Sequence, residues 1–66
     1  MVVKIVELIG VSPKSYEDAV SRAVRRASKT VKNITGVDVI GQSAAVKDGK
    51  VTEYRANLKI AFVVED

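Results

Sequence analysis

The sequence contains no cysteine, no histidine and no tryptophan, and only one proline. Without cysteine the chain can form neither disulfides nor thiolate metal sites, and without histidine it lacks the commonest side-chain ligand of transition metals. Serine hydroxyls are present, but there is no histidine base to activate one of them as a nucleophile. Paired carboxylates at a cleft are also missing, so nothing in the sequence indicates an enzyme.

Aromatic side chains are scarce as well, and Tyr16, Tyr54 and Phe62 are the complete set. The hydrophobic residues make up 47% of the chain but are mostly Val, Ala and Ile, which predicts a thin core. A chain of this length buries only about 60% of the surface that its unfolded form exposes. Since disulfides are excluded, oligomerisation is the remaining stabilising device, and we expect part of the apolar surface to lie between subunits.

Long hydrophobic runs are missing too. The N-terminal segment MVVKIVELIG is interrupted by Lys4 and Glu7, and it lacks the basic and apolar regions of a signal peptide. No run approaches the ~20 apolar residues of a membrane span. We therefore expect one domain over residues 1–66, in a soluble cytoplasmic protein with no membrane partner. The net charge of +3 permits anionic partners, but an excess this small is typical of a solvated surface.

The first half of the chain predicts a strand followed by a helix. Val2–Ile9 is rich in Val and Ile on both faces, so one face should meet the helix and the other a second subunit. Ser15 is the preferred N-cap of the helix, with Ser12 as a competing start. The spacing of Ala and Val stays helical as far as Val31, and Asn33 is the predicted end of the helix.

The second half predicts a hairpin, with strands over Val37–Val46 and Val51–Val64 flanking the turn KDGK. Its central Asp-Gly pair is a strong signal for a two-residue type I′ turn, which makes the two flanking lysines face each other. Counting outward from that turn then predicts the cross-strand pairs Val39–Leu58, Val37–Ile60, Asp38–Lys59 and Gln42–Arg55.

The resulting β-α-β-β order belongs to the α+β class. The helix lets the chain return, so the simplest arrangement is a three-stranded antiparallel sheet in the order 1-3-2, partly wrapping one helix. The last strand would extend over about 40 Å, whereas a compact domain of this size has a radius of gyration of about 11 Å. A strand that extends beyond its own subunit is a second indication of an oligomer.

Several segments resemble the dodecin family, and the resemblance covers essentially the whole chain. They are the strand KIVELIG, the turn GVSPKS, the helix YEDAVSRAVRRASKTVKN, the hairpin around KDGK and the ending YRANLKIAFVVED. The resemblance implies a hollow homododecamer of βαββ subunits. It also implies storage or sequestration of a flavin, riboflavin or FMN, instead of catalysis. In flavin-binding members a tryptophan at the helix-to-strand junction stacks on the flavin, and a glutamine on the last strand hydrogen-bonds its ring.

Neither of these two family residues is present at the matching position. The tryptophan position falls on Gly36, which also looks like an ordinary helix-exit glycine, and the glutamine position falls on Arg55. Arginine donates hydrogen bonds but cannot accept one, whereas an amide does both. Two functions stay open: a ligand-storage protein with a degenerate flavin site, and a non-flavin assembly with a structural, ion-binding or other ligand-binding role. By position, the candidate ligand residues are Thr35, Gly36, Gln42 and Arg55.

Charged side chains outside these positions have simpler interpretations. The helix carries five cations outside its apolar stripe, with no aromatic side chain among them and no recognised nucleic-acid motif. We expect a solvated face or ion pairs between subunits, and no nucleic-acid partner. Oxygen ligands for a metal ion exist, although none has the spacing of a calcium-binding loop, and a site shared by several subunits stays open. The cations are Arg22, Arg25, Arg26, Lys29 and Lys32; the oxygen ligands are Asp38, Asp48, Glu53, Glu65 and Asp66.

Overall fold

A computed structural model describes residues 1–64 and confirms the predicted β-α-β-β order. Strand β1 (Val2–Ser12) precedes helix α1 (Tyr16–Ala27), which is followed by strands β2 (Ile34–Lys47) and β3 (Lys50–Val64). The strands form one sheet in the predicted order β1-β3-β2, and both neighbouring pairs are antiparallel. The helix packs on one face of this sheet. Within the described residues, no helix is long and apolar enough to cross a membrane.

The helix begins where the sequence predicts, at the N-cap Ser15. The Ser15 hydroxyl accepts a hydrogen bond from the Asp18 backbone N–H at 3.0 Å. The Asp18 side chain has a different role, because its carboxylate accepts hydrogen bonds from the Ser12 hydroxyl at 2.5 Å and from Arg22 Nε at 2.6 Å. The hydrogen bond from Ser12, supported by Arg22, holds the pKa of the Asp18 carboxyl below its usual range. Ser12, the fully buried last residue of β1, thereby joins that strand to the first turn of the helix.

The helix ends earlier than predicted, at Ala27 and not at Asn33. The Ser28 hydroxyl donates to the Val24 carbonyl at 2.8 Å, and a turn follows. Asn33 then adopts a left-handed backbone with φ of 63°, and β2 begins at the next residue. The residues from Ile34 onward therefore pair in the sheet, although the sequence pattern places the exit from the helix there.

The hairpin turn has the predicted geometry. Asp48 and Gly49 have φ values of 52° and 75°, as a type I′ turn requires, and Lys47 faces Lys50. Farther from the turn, three of the predicted cross-strand pairs are confirmed: Val39–Leu58, Val37–Ile60 and Asp38–Lys59.

The fourth predicted pair, between Gln42 and Arg55, is wrong because an irregularity lies between it and the turn. The register shifts once near Thr52 of β3 and shifts back near Ile40 of β2. Between these bulges every partner moves by one residue, so Gln42 pairs with Ala56 and Ser43 pairs with Arg55. A shift of one residue exchanges the faces of a strand, which moves Gln42 to the face of the buried Ala56.

The core lies between the helix and the middle strand. Ala19 and Ala23 of α1 pack with Ala56 and Leu58 of β3, and all four are buried. Burying the one large side chain of this set, Leu58, stabilises the fold by about 1.5–3 kcal/mol. Most of the cluster is alanine, so the core is as thin as the composition predicts.

The sheet face that does not contact the helix, called here the helix-free face, exposes apolar side chains. Ile5 and Ile9 of β1 are 52% and 59% exposed, and Val3 and Val11 lie on the same face. The subunit measures 51 × 19 × 13 Å, and its Cα radius of gyration of 13.5 Å exceeds the about 11 Å expected for a compact chain of this length. A single subunit therefore leaves an elongated, partly apolar sheet uncovered.

Candidate ligand-binding face

The central row of the helix-free face, called here its floor, contains several small residues. Because β3 alternates, its buried residues lie under the helix and their neighbours, including Asn57, Lys59 and Ala61, lie on the helix-free face. Two glycines of β2 pair with this row: Gly36 with Ala61, and Gly41 with Asn57. Small residues at paired positions leave space above the sheet that larger side chains would fill.

The space beside Gly36 is the larger of two cavities on this face. It measures about 370 Å³ and is lined by Ile5, Gly36, Val37, Asp38, Lys59 and Ala61. A Cβ atom added at Gly36 would meet no heavy atom within 4 Å. The expectation that Gly36 is a helix-exit glycine is wrong, because it lies within β2 without a positive φ, and Asn33 is the left-handed residue.

The second cavity lies farther along β3. It measures about 300 Å³ and is lined by Glu7, Leu8, Ile9, Ile40, Asn57 and Leu58. The Asn57 amide lies 3.6 Å from the place where a Gly41 Cβ would be, and it makes no hydrogen bond within residues 1–64. Asn57 therefore offers both a donor and an acceptor to a bound molecule.

Charged groups on this face are weakly paired. Lys59 Nζ lies 3.8 Å from Glu7 Oε1, and Asp38 is its cross-strand neighbour on the other side. Arg55 Nη2 donates to Glu53 Oε2 at 3.1 Å, and about half of each side chain is exposed. Exposed pairs of this kind contribute about 0–1 kcal/mol, so both cations can exchange their partners for a ligand at little cost.

The four residues that the sequence nominates do not form one cluster within a subunit. Gly36 pairs with Ala61, which lies six residues along β3 from Arg55, so the two positions are about 20 Å apart. Thr35 is exposed and has no partner in the register, which shifts between its two neighbours. Gln42 pairs on the helix side of the sheet. Gly36 and Arg55 can share a site only if two subunits contribute to it.

Among residues 1–64, no aromatic ring lies on the helix-free face to stack on a planar ligand. Tyr16 and Tyr54 contact each other edge to face, with ring centroids 5.0 Å apart, and Tyr54 pairs with Ala44 on the helix side. Within the described residues, no three acidic side chains lie close enough to hold a metal ion together. Two of the predicted oxygen ligands, Glu65 and Asp66, lie outside the described residues.

The sequence reasoning missed the floor of the face. The alternation of the last strand puts Asn57 and Lys59 on one face, but Gly41 and Ala61, which open the space around them, were not among the predicted site residues. Two glycines on a predicted strand were a usable signal, since glycine within a strand often marks the close approach of a ligand or another backbone. Gly41 also adjoins the bulge that brings the Ile40 side chain to the second cavity, and a glycine within a strand often marks such a bulge.

Comparison with known proteins places the chain in one family. The dodecin family model matches residues 2–65. The calcium dodecin of Mycobacterium tuberculosis is 44% identical over 62 residues, which are 92% of this chain and 86% of the relative. The dodecin of Thermus thermophilus is 32% identical over 65 residues, which are 98% of this chain and 94% of the relative.

A solved structure gives the same result. The dodecin of Streptomyces coelicolor superposes with a TM-score of 0.95 at 31% identity, covering 98% of this chain and 93% of that one. A resemblance over this share of the chain includes all four elements.

Proposed function

Because the chain belongs to the dodecin family, we propose that it is a non-catalytic protein that binds and stores a small ligand on the helix-free face of a homo-oligomer. The observation that carries this proposal is the open space of about 370 Å³ at Gly36. Its walls combine apolar Ile5 and Ala61 with the polar Lys59 and Asp38. Ligand pockets typically have this mixture, a mostly apolar lining with a few polar groups that set orientation.

The oligomer in this proposal is a shell of twelve subunits. The exposed apolar residues of β1 and the 51 Å length of the subunit support neighbours on the helix-free face. The separation of Gly36 from Arg55 supports the same view, since a ligand that reaches both positions must bind between two subunits.

Flavin is the ligand class that family membership suggests, and this chain should bind it weakly. Gly36 presents no ring, and stacking of a ring on an aromatic side chain contributes about 1–3 kcal/mol. Two stacked rings at one site would lose this contribution twice. Arg55 replaces an amide and can donate to the flavin ring but cannot accept from it.

Titration of riboflavin and FMN with the purified assembly, followed by quenching of flavin fluorescence, tests this proposal. The double variant Gly36→Trp/Arg55→Gln should bind at least roughly 30-fold more tightly than the parent, because two stacking contacts return. Ser21→Trp adds the same ring on the exposed helix surface and should change nothing. Tight binding by the parent would contradict the weak site, and no gain in the double variant would contradict its location.

Calcium is a second candidate ligand, and the 44% identity to a calcium dodecin favours it. A solved structure of that relative, described as calcium chelating, superposes on this chain with a TM-score of 0.86. Calcium prefers carboxylate and carbonyl oxygens. Here Glu7, Asp38 and Glu53 are carboxylates on the helix-free face, and symmetry-related copies of them from several subunits would have to supply the site.

Calorimetric titration with Ca²⁺, with Mg²⁺ as competitor, tests this alternative. Asp38→Asn should weaken Ca²⁺ binding, since it replaces a charged oxygen ligand by a neutral one. Asp48→Asn removes the same charge at the hairpin turn, where Asn also accepts a left-handed backbone, and should leave binding unchanged. Absence of Ca²⁺ binding by the parent, or equal loss in both variants, would remove calcium from this face.

A further inference from the structure

A set of four exposed cations, called here the basic helix face, lies along one side of α1. Arg22, Arg25, Arg26 and Lys29 follow the spacing i, i+3, i+4 and i+7, which places them on one side of a helix. Ala19 and Ala23, which are buried against the sheet, adjoin this set, because Arg22 and Arg26 follow them at i+3. Lys29 lies just beyond the last helical residue, but its N–H still donates to the Arg26 carbonyl at 3.2 Å and so continues the helical path.

Most of these cations have no acidic partner within the part of the chain that the structure describes. Arg22 is held by Asp18 through its Nε atom at 2.6 Å, which leaves the outer nitrogens of its guanidinium available. Arg25, Arg26 and Lys29 form no ion pair with any carboxylate of residues 1–64. Four of the eleven cations of the chain therefore share one small surface that contains a single acidic contact.

The arrangement is repulsive unless an anion is present. Arg22 and Arg26, and likewise Arg25 and Lys29, are like charges at i,i+4, which destabilise a helix. The helix dipole favours cations in the last turn, which accounts for Arg25 and Arg26 but not for Arg22. The attraction of these cations to a bound dianion would offset their mutual repulsion.

The space between these four side chains has the size of a small anion. Arg22, Arg25, Arg26 and Lys29 line a depression of about 150 Å³, which equals the volume of about five liquid water molecules. A guanidinium matches phosphate oxygens with two parallel hydrogen bonds, and three guanidiniums meet here. The surface offers no aromatic side chain on which a base could stack, so it suits the phosphate group itself and not a nucleic-acid strand.

We propose that the basic helix face, through Arg22, Arg25, Arg26 and Lys29, binds a compact oxyanion of the pyrophosphate or phosphate-ester class. This site is separate from the helix-free face, because the sheet lies between the two. Its occupancy is therefore independent of whether flavin, calcium or neither binds to the sheet.

Calorimetric titration of the intact assembly with inorganic pyrophosphate, at about 50 mM and again at about 200 mM salt, tests the proposal. We expect saturable binding with one site per subunit that weakens as salt rises. Arg25→Gln/Lys29→Gln should lower the affinity at least ~10-fold, since it removes two charge-assisted contacts. Lys47→Gln/Lys50→Gln removes the same net charge at the hairpin turn and should change the affinity less than about twofold.

Light scattering should give the same mass for both variants as for the parent. If the double variant on the helix does not assemble, Arg26→Gln alone removes another cation of the basic helix face and should also weaken binding. Pyrophosphate should also raise the melting temperature of the parent but not that of the helix variant. Absence of saturable pyrophosphate binding, equal losses in the helix and hairpin variants, or binding of a short DNA duplex without binding of pyrophosphate would each overturn the proposal.

Discussion

At the scale of single residues, Gly10 determines how closely the helix can approach the sheet. A Cβ atom at this position would lie close against the Ala19 carbonyl oxygen, 2.9 Å from the Ala19 carbonyl carbon and 3.0 Å from Ala23 Cβ. The helix has alanine at both contacting positions, and both alanines are buried. A glycine on β1 and two alanines on α1 together allow backbone-to-backbone contact in a core that has few large side chains.

Gly10→Ala should therefore destabilise the protein by about 1–3 kcal/mol, because the added methyl group meets backbone that cannot move aside. Gly36→Ala is the matched control. Its new methyl group meets nothing within 4 Å, and we expect an unchanged or slightly increased stability. Urea unfolding at equal protein concentration measures both variants. Equal behaviour of the two would contradict the close contact at Gly10.

The Asp18 carboxylate makes the stability of the fold depend on pH in the acid range. Its pKa in the folded protein is lowered, first by the hydrogen bond from Ser12 and then by Arg22, against a smaller opposing effect of desolvation. A carboxyl with a lower pKa in the folded state than in the unfolded state stabilises the fold fully above the unfolded value of about 3.9, and less as pH falls through the folded value.

Unfolding midpoints measured from pH 6 down to pH 2 should show this loss. The parent should lose stability steadily below about pH 4, and Asp18→Asn should be less stable at pH 6 but lose less on acidification. Glu17→Gln removes an exposed carboxylate one residue away, which forms no ion pair within residues 1–64, and should follow the parent. An Asp18→Asn curve that runs parallel to the parent would show that another carboxyl carries the acid dependence.

At the scale of elements, the exit from the helix is set by backbone geometry and not by hydrophobic pattern. Val31 keeps helical spacing, yet the helix ends at Ala27 and Asn33 reverses the chain with φ of 63°. Directly after this reversal the backbone is tied to the sheet, where the Val63 N–H donates to the Asn33 carbonyl at 3.0 Å. Asn33 thus fixes where β2 starts, and hence where Gly36 lies.

Asn33→Val should destabilise the protein by about 1–2 kcal/mol, since a β-branched residue pays the full cost of a left-handed backbone. Asn33→Gly should cost little or nothing, because glycine adopts this conformation readily. Lys32→Val, at an exposed neighbour without a positive φ, controls for the added apolar side chain. Denaturant midpoints measure the stability of all three variants. Equal losses for Asn33→Val and Lys32→Val would contradict the proposal that the left-handed backbone at Asn33 causes the loss.

At the scale of the whole molecule, the shape and the exposed apolar surface point to assembly. The long hairpin extends the subunit to 51 Å, and the helix covers only one sheet face. Ile5 and Ile9 stay more than half exposed on the other face. A protein whose own core is small gains the rest of its stability by burying such a face between copies, which ties stability to concentration.

Ile9→Lys should break the parent oligomer into smaller species or weaken it, because an ammonium group would enter an apolar contact between subunits. Ser21→Lys adds the same side chain on the exposed helix surface and should leave the mass unchanged. Light scattering after size exclusion, over a range of protein concentrations, measures both. A parent with the mass of a single subunit would refute the twelve-subunit proposal outright.

Local features made much of the fold predictable. The N-cap at Ser15 and the turn at Asp48 and Gly49 depend on neighbouring residues only, and the structure has both where they were expected. The alternation of β3 also indicates which of its residues lie under the helix, since only one side of that strand is continuously apolar. The strand order then followed, because it is the arrangement that makes every neighbouring pair antiparallel.

The candidate site was less predictable, because its geometry depends on where pairing slips. Counting from the turn placed Gln42 beside Arg55, but the bulges near Thr52 and Ile40 exchange the faces between them. Gly41 is a sign of the bulge at Ile40, but no residue type marks the bulge near Thr52, which depends on how both strands fit the helix and the sheet twist. The approach of Gly10 to Ala19 is likewise a distance between elements, and a sequence pattern carries no distances.

By itself, the sequence determined the kinds of element, their order, the turn between the last two strands and the absence of a stacking ring at Gly36. These depend on local backbone preferences and on residue identity. Only the tertiary structure decided the end of the helix, the face on which Gln42 lies and the separation of about 20 Å between Gly36 and Arg55. The physical reason is that pairing with β3 competes with local preference over residues 34–47, and tertiary hydrogen bonds and burial settle that competition.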